Sequence, residues 1–220
     1  MNIQFEHVSV AFDKQIVLKD IKLEIKEGEF ISLVGESGVG KTTFLRLLYF
    51  DLLPTDGTVR VGLFSSATIR KREIPQLRKM LGISFQDFKL LEDRNVHDNI
   101  AFVLEVVRQK KDFIKERIPE VLSLVGLEKK QHAMPHELSG GEQARVMLAR
   151  AIANQPEILL ADEPMGNLDL KTGMEILEVL KTINKNETTV IMASHNMEIV
   201  KKAGARVLQL KDGRLTDLNK

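Results

Sequence analysis

FISLVGESGVGKTTFLRLL, residues 30–48, joins a continuously apolar segment to a glycine-rich turn and then to a helical pattern. The apolar part has the length of a buried strand, and the segment KTTFLRLL that follows the turn places Phe44, Leu45, Leu47 and Leu48 on one helical stripe. Residues Gly35–Thr42, GESGVGKT, match the phosphate-binding loop pattern in the strand–loop–helix setting that this loop requires. The stretch therefore predicts a nucleotide-binding core.

The glycines of this loop let backbone N–H groups converge on phosphate oxygens, and the helix that follows adds its positive end. Lys41 is then expected to reach the β- and γ-phosphates of a nucleotide, and Thr42 to coordinate Mg²⁺. The alternative is a glycine-rich turn with a surface lysine. The predicted ATP-binding residues of the loop are Gly35, Glu36, Ser37, Gly38, Val39, Gly40, Lys41, Thr42 and Thr43.

Apolar periodicity outside the loop predicts the remaining architecture. Alternation over residues 3–10 and 21–25 indicates two strands of an antiparallel sheet. LGISFQ (81–86), EILLAD (157–162) and TTVIMAS (188–194) read as further strands, each followed by a helical pattern, which predicts a mainly parallel sheet.

Helical periods fill the chain between Asp87 and Ala153, where no convincing strand is visible. The predicted fold class is α/β: a P-loop NTPase (RecA-like) core with a mainly parallel sheet, an N-terminal antiparallel β subdomain and an inserted helical subdomain. We expect one domain over 1–220, with the core at 1–86 and 154–220 and the helical subdomain at 87–153.

Composition narrows the classes of function. The 220 residues are 43% hydrophobic, and 32 Lys and Arg balance 31 Asp and Glu, so no basic field points to a nucleic-acid partner. The basic stretch RKREIPQLRKM at residues 70–80 is read as a solvated helix face. The absence of cysteine fits a reducing cytosol. No apolar run is long enough to span a bilayer, so if the protein works at a membrane, something other than a membrane-spanning segment must hold it there.

Two carboxylates end a second predicted strand. Asp162 and Glu163 follow the apolar run at 158–161, at the sheet edge where open parallel sheets bind ligands. Asp162 is suited to holding Mg²⁺ through water, and Glu163 to accepting a proton from water that attacks a γ-phosphate. An acidic helix N-terminus is the alternative reading.

His195 and Gln86 also follow predicted strands and are expected at the same edge. His195 is predicted to donate a hydrogen bond to the γ-phosphate, and the alternative is a helix-capping or core histidine. Gln86 is predicted to contact Mg²⁺ or the attacking water, and the alternative is a plain polar turn. The predicted catalytic residues are thus Glu163, His195, Gln86 and Lys41.

The motifs together resemble the nucleotide-binding subunit of ATP-binding cassette (ABC) proteins. GESGVGKTT, SFQ, LSGGEQ, ILLADEP, GNLD and SH follow one another in the order and approximate spacing of that family, across nearly the whole chain. The resemblance implies a homodimer closed by two ATP molecules with Mg²⁺, in which LSGGEQ (138–143) of one subunit covers the γ-phosphate bound by the other. Residues implied to act across that interface are Ser139, Gly140, Gly141, Glu142 and Asp169.

Physical chemistry agrees with this role for LSGGEQ, because Ser139 offers a hydroxyl and the following helix points its positive end at phosphate. The resemblance also implies that Phe12 stacks on adenine, while the sequence alone leaves Phe12 equally open to a core role.

The run FQDFKLLEDRNVHDNIAF at residues 85–102 resembles, within the family, the FtsE subgroup of cell-division ATPases. That resemblance implies a peripheral protein on the cytoplasmic face of the inner membrane, an integral membrane partner resembling FtsX, and a role in regulating cell-wall hydrolysis. Two alternatives stay open: a motor subunit of a lipoprotein-release (LolD-like) or MacB-type export transporter, and a scaffold that binds ATP without appreciable hydrolysis.

Overall fold

Two β-sheets organise the chain, whose computed structural model describes residues 1–13, 15–85 and 89–219. The first is a four-stranded sheet of order β2-β1-β4-β5 and the second a six-stranded sheet of order β10-β9-β3-β8-β7-β6. The strands are β1 (Ile3–Phe12), β2 (Gln15–Ile25), β3 (Phe30–Val34), β4 (Asp56–Val61), β5 (Phe64–Ser65), β6 (Leu81–Ser84), β7 (Ile158–Asp162), β8 (Thr189–Ser194), β9 (Arg206–Lys211) and β10 (Arg214–Asp217).

The predicted sheet types are confirmed. β1 pairs antiparallel with β2 and β4. In the larger sheet β3, β6, β7, β8 and β9 run parallel, and β10 adds an antiparallel edge. β2 begins at Gln15, earlier than the predicted 21–25, because its first half pairs with the end of β1 through several register shifts.

The parallel strands are continuously apolar because the six-stranded sheet is buried on both faces. Along β7, Leu159 and Ala161 belong to one core and Ile158 and Leu160 to the other. The first core holds the helices of the second half of the chain, and the second core holds the antiparallel sheet. The two cores fix the ends of β3, β7 and β8 relative to each other.

Seven α-helices flank the sheets in the described residues: α1 (Lys41–Leu48), α2 (Ile74–Lys79), α3 (Val96–Val106), α4 (Lys111–Leu124), α5 (Gly140–Ile152), α6 (Leu170–Lys185) and α7 (Met197–Ala203). The chain between β6 and β7, where helices were predicted, holds α3, α4 and α5 within the described residues 89–153. These three helices share one apolar core with α6 and a face of the six-stranded sheet. α5 also touches β6 directly, since a Cβ at Gly82 would collide with the carbonyl of Ala151. Within the described residues, none of the helices is long and apolar enough to cross a membrane.

Candidate nucleotide site

A cleft of about 240 Å³ lies at the carboxyl ends of β3, β7 and β8. Parallel strands present all their carboxyl ends at one edge of a sheet, so the residues that follow β3, β7 and β8 meet there. The cleft is lined by Ser37, Gly38, Gly40, Lys41, Thr42, Thr43, Asp162, Glu163 and His195. The structure therefore brings the predicted loop, the two carboxylates and the histidine together.

The loop needs glycine at its two ends for steric reasons. A Cβ at Gly35 would lie 2.6 Å from the carbonyl oxygen of Leu210 in β9. Gly40 has a φ of 113° and caps the N-terminus of α1, and a Cβ there would lie 2.8 Å from Val17 Cγ1. Larger residues would push the loop away from β9 and β2. The open backbone of the loop at the N-terminus of α1 suits a bound anion such as a phosphate.

Lys41 is buried inside this loop, with 6% of its side chain exposed. Its Nζ donates hydrogen bonds to the carbonyl oxygens of Gly35 at 2.8 Å and Glu36 at 3.1 Å. The same nitrogen lies 3.2 Å from Glu163 Oε1. A buried ammonium held by carbonyls and one carboxylate contradicts the alternative reading of Lys41 as a surface lysine.

Thr42 in α1 contacts Asp162 at the end of β7. Thr42 Oγ1 donates to Asp162 Oδ2 at 2.7 Å, while Asp162 Oδ1 is buried without a hydrogen-bond partner among the described residues. Burial raises the pKa of the Asp162 carboxyl, and the Thr42 hydroxyl opposes this shift. A buried carboxylate oxygen without a partner, beside a threonine hydroxyl, is the oxygen-donor chemistry that Mg²⁺ prefers. These two residues fit the predicted magnesium ion.

Glu163 is held at the mouth of the cleft by an unusual backbone conformation. Its φ is 47°, its N–H donates to the carbonyl of Ala193 at the end of β8 at 3.1 Å, and its carbonyl accepts from Gly166 at 3.0 Å. A left-handed conformation at a non-glycine residue is costly and is typical of functional sites. The turn directs the Glu163 carboxylate towards Lys41 and His195.

His195 reaches the cleft from the end of β8. Its Nδ1 lies 2.9 Å from Glu163 Oε2, and 57% of its side chain is exposed. The exposure contradicts a core role. Asn196, whose Oδ1 accepts from the N–H groups of Glu198 and Ile199, caps α7 in place of His195. Both alternatives for the histidine are therefore wrong, while Gln86, the remaining predicted catalytic residue, lies outside the described residues.

The predicted LSGGEQ segment lies away from the cleft and begins α5. Ser139 Oγ accepts from the Glu142 N–H at 3.3 Å, and Glu142 Oε2 accepts from the Ser139 N–H at 2.8 Å, which forms a capping box. Lys130 Nζ lies 3.1 Å from Glu142 Oε1. The hydrogen bond from the Ser139 N–H lowers the pKa of the Glu142 carboxyl. Burial raises this pKa and Lys130 lowers it, and the overall shift is downwards. Ser139 and Gly140 are exposed, and neither lines the cleft of this chain.

The two glycines of this segment have different surroundings. A Cβ at Gly141 would collide with Cγ2 of Thr172 on α6, whereas one at Gly140 would meet only Leu168 Cδ2 at 3.4 Å. Gly141 is buried and Gly140 is exposed. Close packing of α5 on α6 thus explains Gly141 within a single chain, and Gly140 alone offers an open backbone to an outside partner.

Asp169 and Phe12 are both exposed. Asp169 caps α6, and its carboxylate accepts from Thr172 Oγ1 at 2.6 Å and from the Thr172 N–H at 3.1 Å. The Thr172 hydroxyl is the main reason that the pKa of Asp169 is lowered. Phe12, at the end of β1, is 44% exposed, which contradicts a core role and leaves its ring free to stack.

Two residues that contact predicted site residues were not identified from the sequence. Thr172 both packs on Gly141 and binds Asp169, and Lys130 binds Glu142 from the turn before α5. Thr172 lies three residues after Asp169, as a helix-capping pattern predicts, so that contact was visible in principle. Lys130 carries no such signal, because its contact depends on how the short turns between α4 and α5 fold.

Comparison with known proteins agrees with this geometry. The ABC transporter family matches residues 18–166. A cell division ATP-binding protein FtsE from Mycobacterium tuberculosis is 48% identical over 98% of this chain and 94% of its own length. The methionine import ATP-binding protein MetN 1 from Pectobacterium atrosepticum is 41% identical over 98% of this chain and 65% of its own.

Among solved structures, the dimeric post-hydrolysis state of the ATP-binding cassette MJ0796, bound to ADP and Pi, superposes with a TM-score of 0.86 at 32% identity, covering 98% of both chains. The chain therefore belongs to the ABC transporter family, as one of its ATPase subunits.

Proposed function

We propose that this ATPase closes as a homodimer around two ATP molecules with Mg²⁺ and drives a conformational change in a separate membrane protein during cell division. The observation that carries the proposal is the meeting of Lys41, Thr42, Asp162, Glu163 and His195 in one cleft, joined by hydrogen bonds and ion pairs. The cell-division role rests on the 48% identity to FtsE over nearly the whole length of both proteins.

Thr42 and Asp162 are proposed to hold Mg²⁺, with Asp162 acting through water. When bound, the ion neutralises charge on the β- and γ-phosphates. Lys41 is proposed to leave the loop carbonyls and contact those phosphates, and the loop N–H groups bind their oxygens. The burial of Lys41 and Asp162 supports this assignment, because their charges act in a site of low polarity where electrostatic interactions are strong.

Glu163 is proposed as the proton acceptor for the water that attacks the γ-phosphate. Its contact with His195 Nδ1 fixes the direction of the carboxylate and leaves the histidine's other ring nitrogen available to the γ-phosphate. The left-handed backbone of Glu163 supports this role, since it places the carboxylate at the cleft and not along the sheet. Gln86 is proposed to contact Mg²⁺ or the attacking water.

The dimer is proposed to place Ser139, Gly140 and Glu142 of one chain over the γ-phosphate of the other. In the dimer, Asp169 joins the two sites across the interface, and Phe12 stacks on adenine. The exposure of Ser139, Asp169 and Phe12 supports these roles, as does the dimeric state of the structural neighbour.

The partner is proposed to be an integral membrane protein resembling FtsX, with this chain peripheral on the cytoplasmic face of the membrane. A groove of about 360 Å³ between β6, α3 and α5 is the proposed docking place. Two of its lining residues, Phe85 and Lys89, flank in sequence the segment that contains Gln86, the residue proposed to sense the nucleotide. Phe85, Lys89 and Arg150 are among its lining residues.

A transporter motor is the second candidate, because MetN 1, an import protein, is 41% identical to the chain. The ATPase chemistry is the same for both candidates, and only the membrane partner differs. The test is affinity purification of the Glu163→Gln form from native membranes with ATP, followed by mass spectrometry. An FtsX-like protein in the eluate supports the cell-division role, and a permease overturns it.

The loop itself is tested separately by Lys41→Ala. Loss of ATP binding by calorimetry is expected, because the ammonium supplies the positive charge inside the loop. ATP affinity equal to that of the unaltered chain would contradict the proposed phosphate site.

A further inference from the structure

The segment 70–79 concentrates positive charge that the nucleotide site does not use. It holds Arg70, Lys71, Arg72, Arg78 and Lys79 against Glu73, so five positive charges less one negative give +4. The whole chain has a net charge of only +1, so the remainder sums to −3. The excess positive charge of this protein is therefore local.

Most of these cations are not neutralised by the fold. Arg78 is engaged, because its Nε donates to the Tyr49 carbonyl at 3.0 Å and its guanidinium lies 3.7 Å from Asp51. Arg70, Lys71, Arg72 and Lys79 are exposed, and none of them forms an ion pair with another residue of the described chain. Glu73 uses its carboxylate to accept from the Arg70 backbone N–H. Four cations thus face outwards.

A fully exposed leucine lies beside them. Leu63, at the turn between β4 and β5, is 101% exposed, the highest value among the exposed large apolar side chains of the described chain. Leu63 and Arg70 line the same shallow cleft of about 390 Å³. A fully exposed apolar side chain next to a cluster of exposed cations is the pattern of a surface that touches a bilayer, where the leucine enters the headgroup region and the cations bind lipid phosphates.

The position of this surface agrees with the proposed docking groove. Helix α2 has six residues and is therefore only about 9 Å long, at 1.5 Å per residue. Arg78 and Lys79, at its C-terminal end, line the groove, and Arg70–Arg72 precede its N-terminal end. A membrane protein docked in the groove would bring the bilayer surface close to this segment.

We propose that Leu63, Arg70, Lys71, Arg72 and Lys79, here named the basic edge, bind the surface of an anionic phospholipid membrane. The inference rests on the proposed function for its orientation, since it assumes that the groove faces a membrane protein. An acidic segment of that protein is the competing partner. The bilayer is favoured by the exposed leucine, which an acidic peptide would leave in water.

The test measures flotation of the full chain with vesicles of phosphatidylglycerol and with vesicles of phosphatidylcholine. We expect binding to the anionic vesicles only, weakened by salt because exposed charges are screened. The Arg70→Ser/Lys71→Ser/Arg72→Ser variant should bind about 100-fold more weakly, from roughly a fivefold loss for each removed cation.

A matched control removes three other exposed lysines, in Lys185→Ser/Lys201→Ser/Lys202→Ser. These lie at the ends of α6 and α7, which pack on the face of the six-stranded sheet opposite to α2. Vesicle binding of this control should stay near that of the unaltered chain. An equal loss in both variants would show attraction by net charge alone and overturn the proposal.

Leu63 is tested independently. Because the chain has no cysteine, Leu63→Cys and Leu218→Cys each accept a single polarity-sensitive dye. The dye at 63 should shift to the blue on anionic vesicles, and the dye at 218 should not. No vesicle binding, or no shift at 63, overturns the proposal. The proposal is also overturned if the unaltered chain captures the membrane partner but binds no vesicles, and the triple variant no longer captures that partner.

ATP hydrolysis distinguishes a failure of this inference from a failure of the proposed function. Hydrolysis by the triple variant in the absence of vesicles should equal that of the unaltered chain, because none of the three residues lines the cleft.

Discussion

The polar side chains of the cleft and those of the LSGGEQ segment differ in how far apart in the sequence their hydrogen-bond partners lie. In the cleft, side chains from α1, β7 and β8 bind each other across long sequence distances, such as Thr42 with Asp162. In the LSGGEQ segment, Ser139 and Glu142 bind each other within one helical turn, and Ser139 is exposed while Glu142 is half-buried. The cleft is assembled by the tertiary fold, whereas the segment is formed locally.

This difference indicates what a second chain would add. The capping box satisfies the backbone N–H groups of Ser139 and Glu142 at the start of α5, yet the positive end of the helix remains directed at solvent. The cleft has the glycine-rich loop, Lys41 and two carboxylates, but no second helix N-terminus lies on its open side within the described residues. Two copies joined face to face would bring these complementary parts together.

Removing the proposed proton acceptor should give the largest effect, and this substitution alters the cleft alone. In Glu163→Gln the rate of ATP hydrolysis is expected to fall about 10²–10⁴-fold, the usual contribution of a general base. ATP and Mg²⁺ binding should persist, because Lys41, Thr42 and Asp162 are unchanged, and an ATP-bound dimer should accumulate. Phosphate release and size-exclusion chromatography measure the two outcomes.

Glu157→Gln is the matched control, since Glu157 immediately precedes the opposite end of β7. Its hydrolysis rate should equal that of the unaltered chain. A Glu163→Gln protein that hydrolyses ATP normally, or that stays monomeric with ATP, would refute the role of this carboxylate.

The LSGGEQ segment is altered alone by Ser139→Asp and Ser139→Asn. Both residues are good helix caps, so α5 should keep its stability. Only Asp adds a negative charge where the proposed dimer brings a γ-phosphate, so Ser139→Asp should lower ATP-dependent dimerisation at least tenfold. Binding of ATP to a single chain should not change, as equilibrium titration with a fluorescent nucleotide would report. Equal dimerisation by the Asp and Asn variants would mean that Ser139 does not face a partner's nucleotide.

Substitutions of the two glycines of the segment should distinguish an effect on folding stability from an effect on dimerisation. Gly141→Ala forces a methyl group against Thr172 and should lower the free energy of unfolding by about 1–3 kcal/mol, the usual cost of overpacking. Gly140→Ala has room for its methyl group within the chain, so it should leave stability unchanged and weaken dimerisation.

Thr172→Ser supplies the control for that collision. It removes Cγ2 and keeps the hydroxyl that binds Asp169, so it should restore much of the stability of Gly141→Ala in urea titrations. No restoration in the double variant would show that the collision with Thr172 is not the cause.

Whether a feature of this structure could be predicted from the sequence depends on whether it follows from a local pattern or from tertiary packing. β3 and β7 were predictable because strands buried on both faces are continuously apolar, and the order of loop, carboxylates and histidine along the chain follows from strand ends. The close packing of Gly141 on Thr172 and the contact of Lys130 with Glu142 were not predictable, because they depend on how α5, α6 and the preceding turns pack. Helix periodicity gives the buried stripe of a helix and does not specify its neighbour.

The smallest predicted effect concerns the loss of folding stability caused by burying the Asp162 carboxylate in the cleft. Because burial raises the pKa of Asp162 in the folded chain, the folded carboxyl holds its proton to higher pH than the unfolded one. Stability therefore falls as pH rises from the ordinary pKa of about 3.9 through the folded pKa, and the full cost is present at neutral pH.

Asp162→Asn removes that cost and should raise the melting temperature of the nucleotide-free chain at pH 7 by about 2–4 °C, as about 1 kcal/mol does in a protein of this size. The difference should shrink as the pH is lowered towards 4. Asp169→Asn is the contrast, because the pKa of Asp169 is lowered and Asn retains the cap, so its melting temperature should not rise. ATP with Mg²⁺ should stabilise the unaltered chain and Asp169→Asn far more than Asp162→Asn, because only Asp162 is proposed to hold the ion. A lower melting temperature for Asp162→Asn at pH 7 would show that its hydrogen bond with Thr42 outweighs the burial of its charge, and the cleft would then resemble the locally satisfied segment at Ser139.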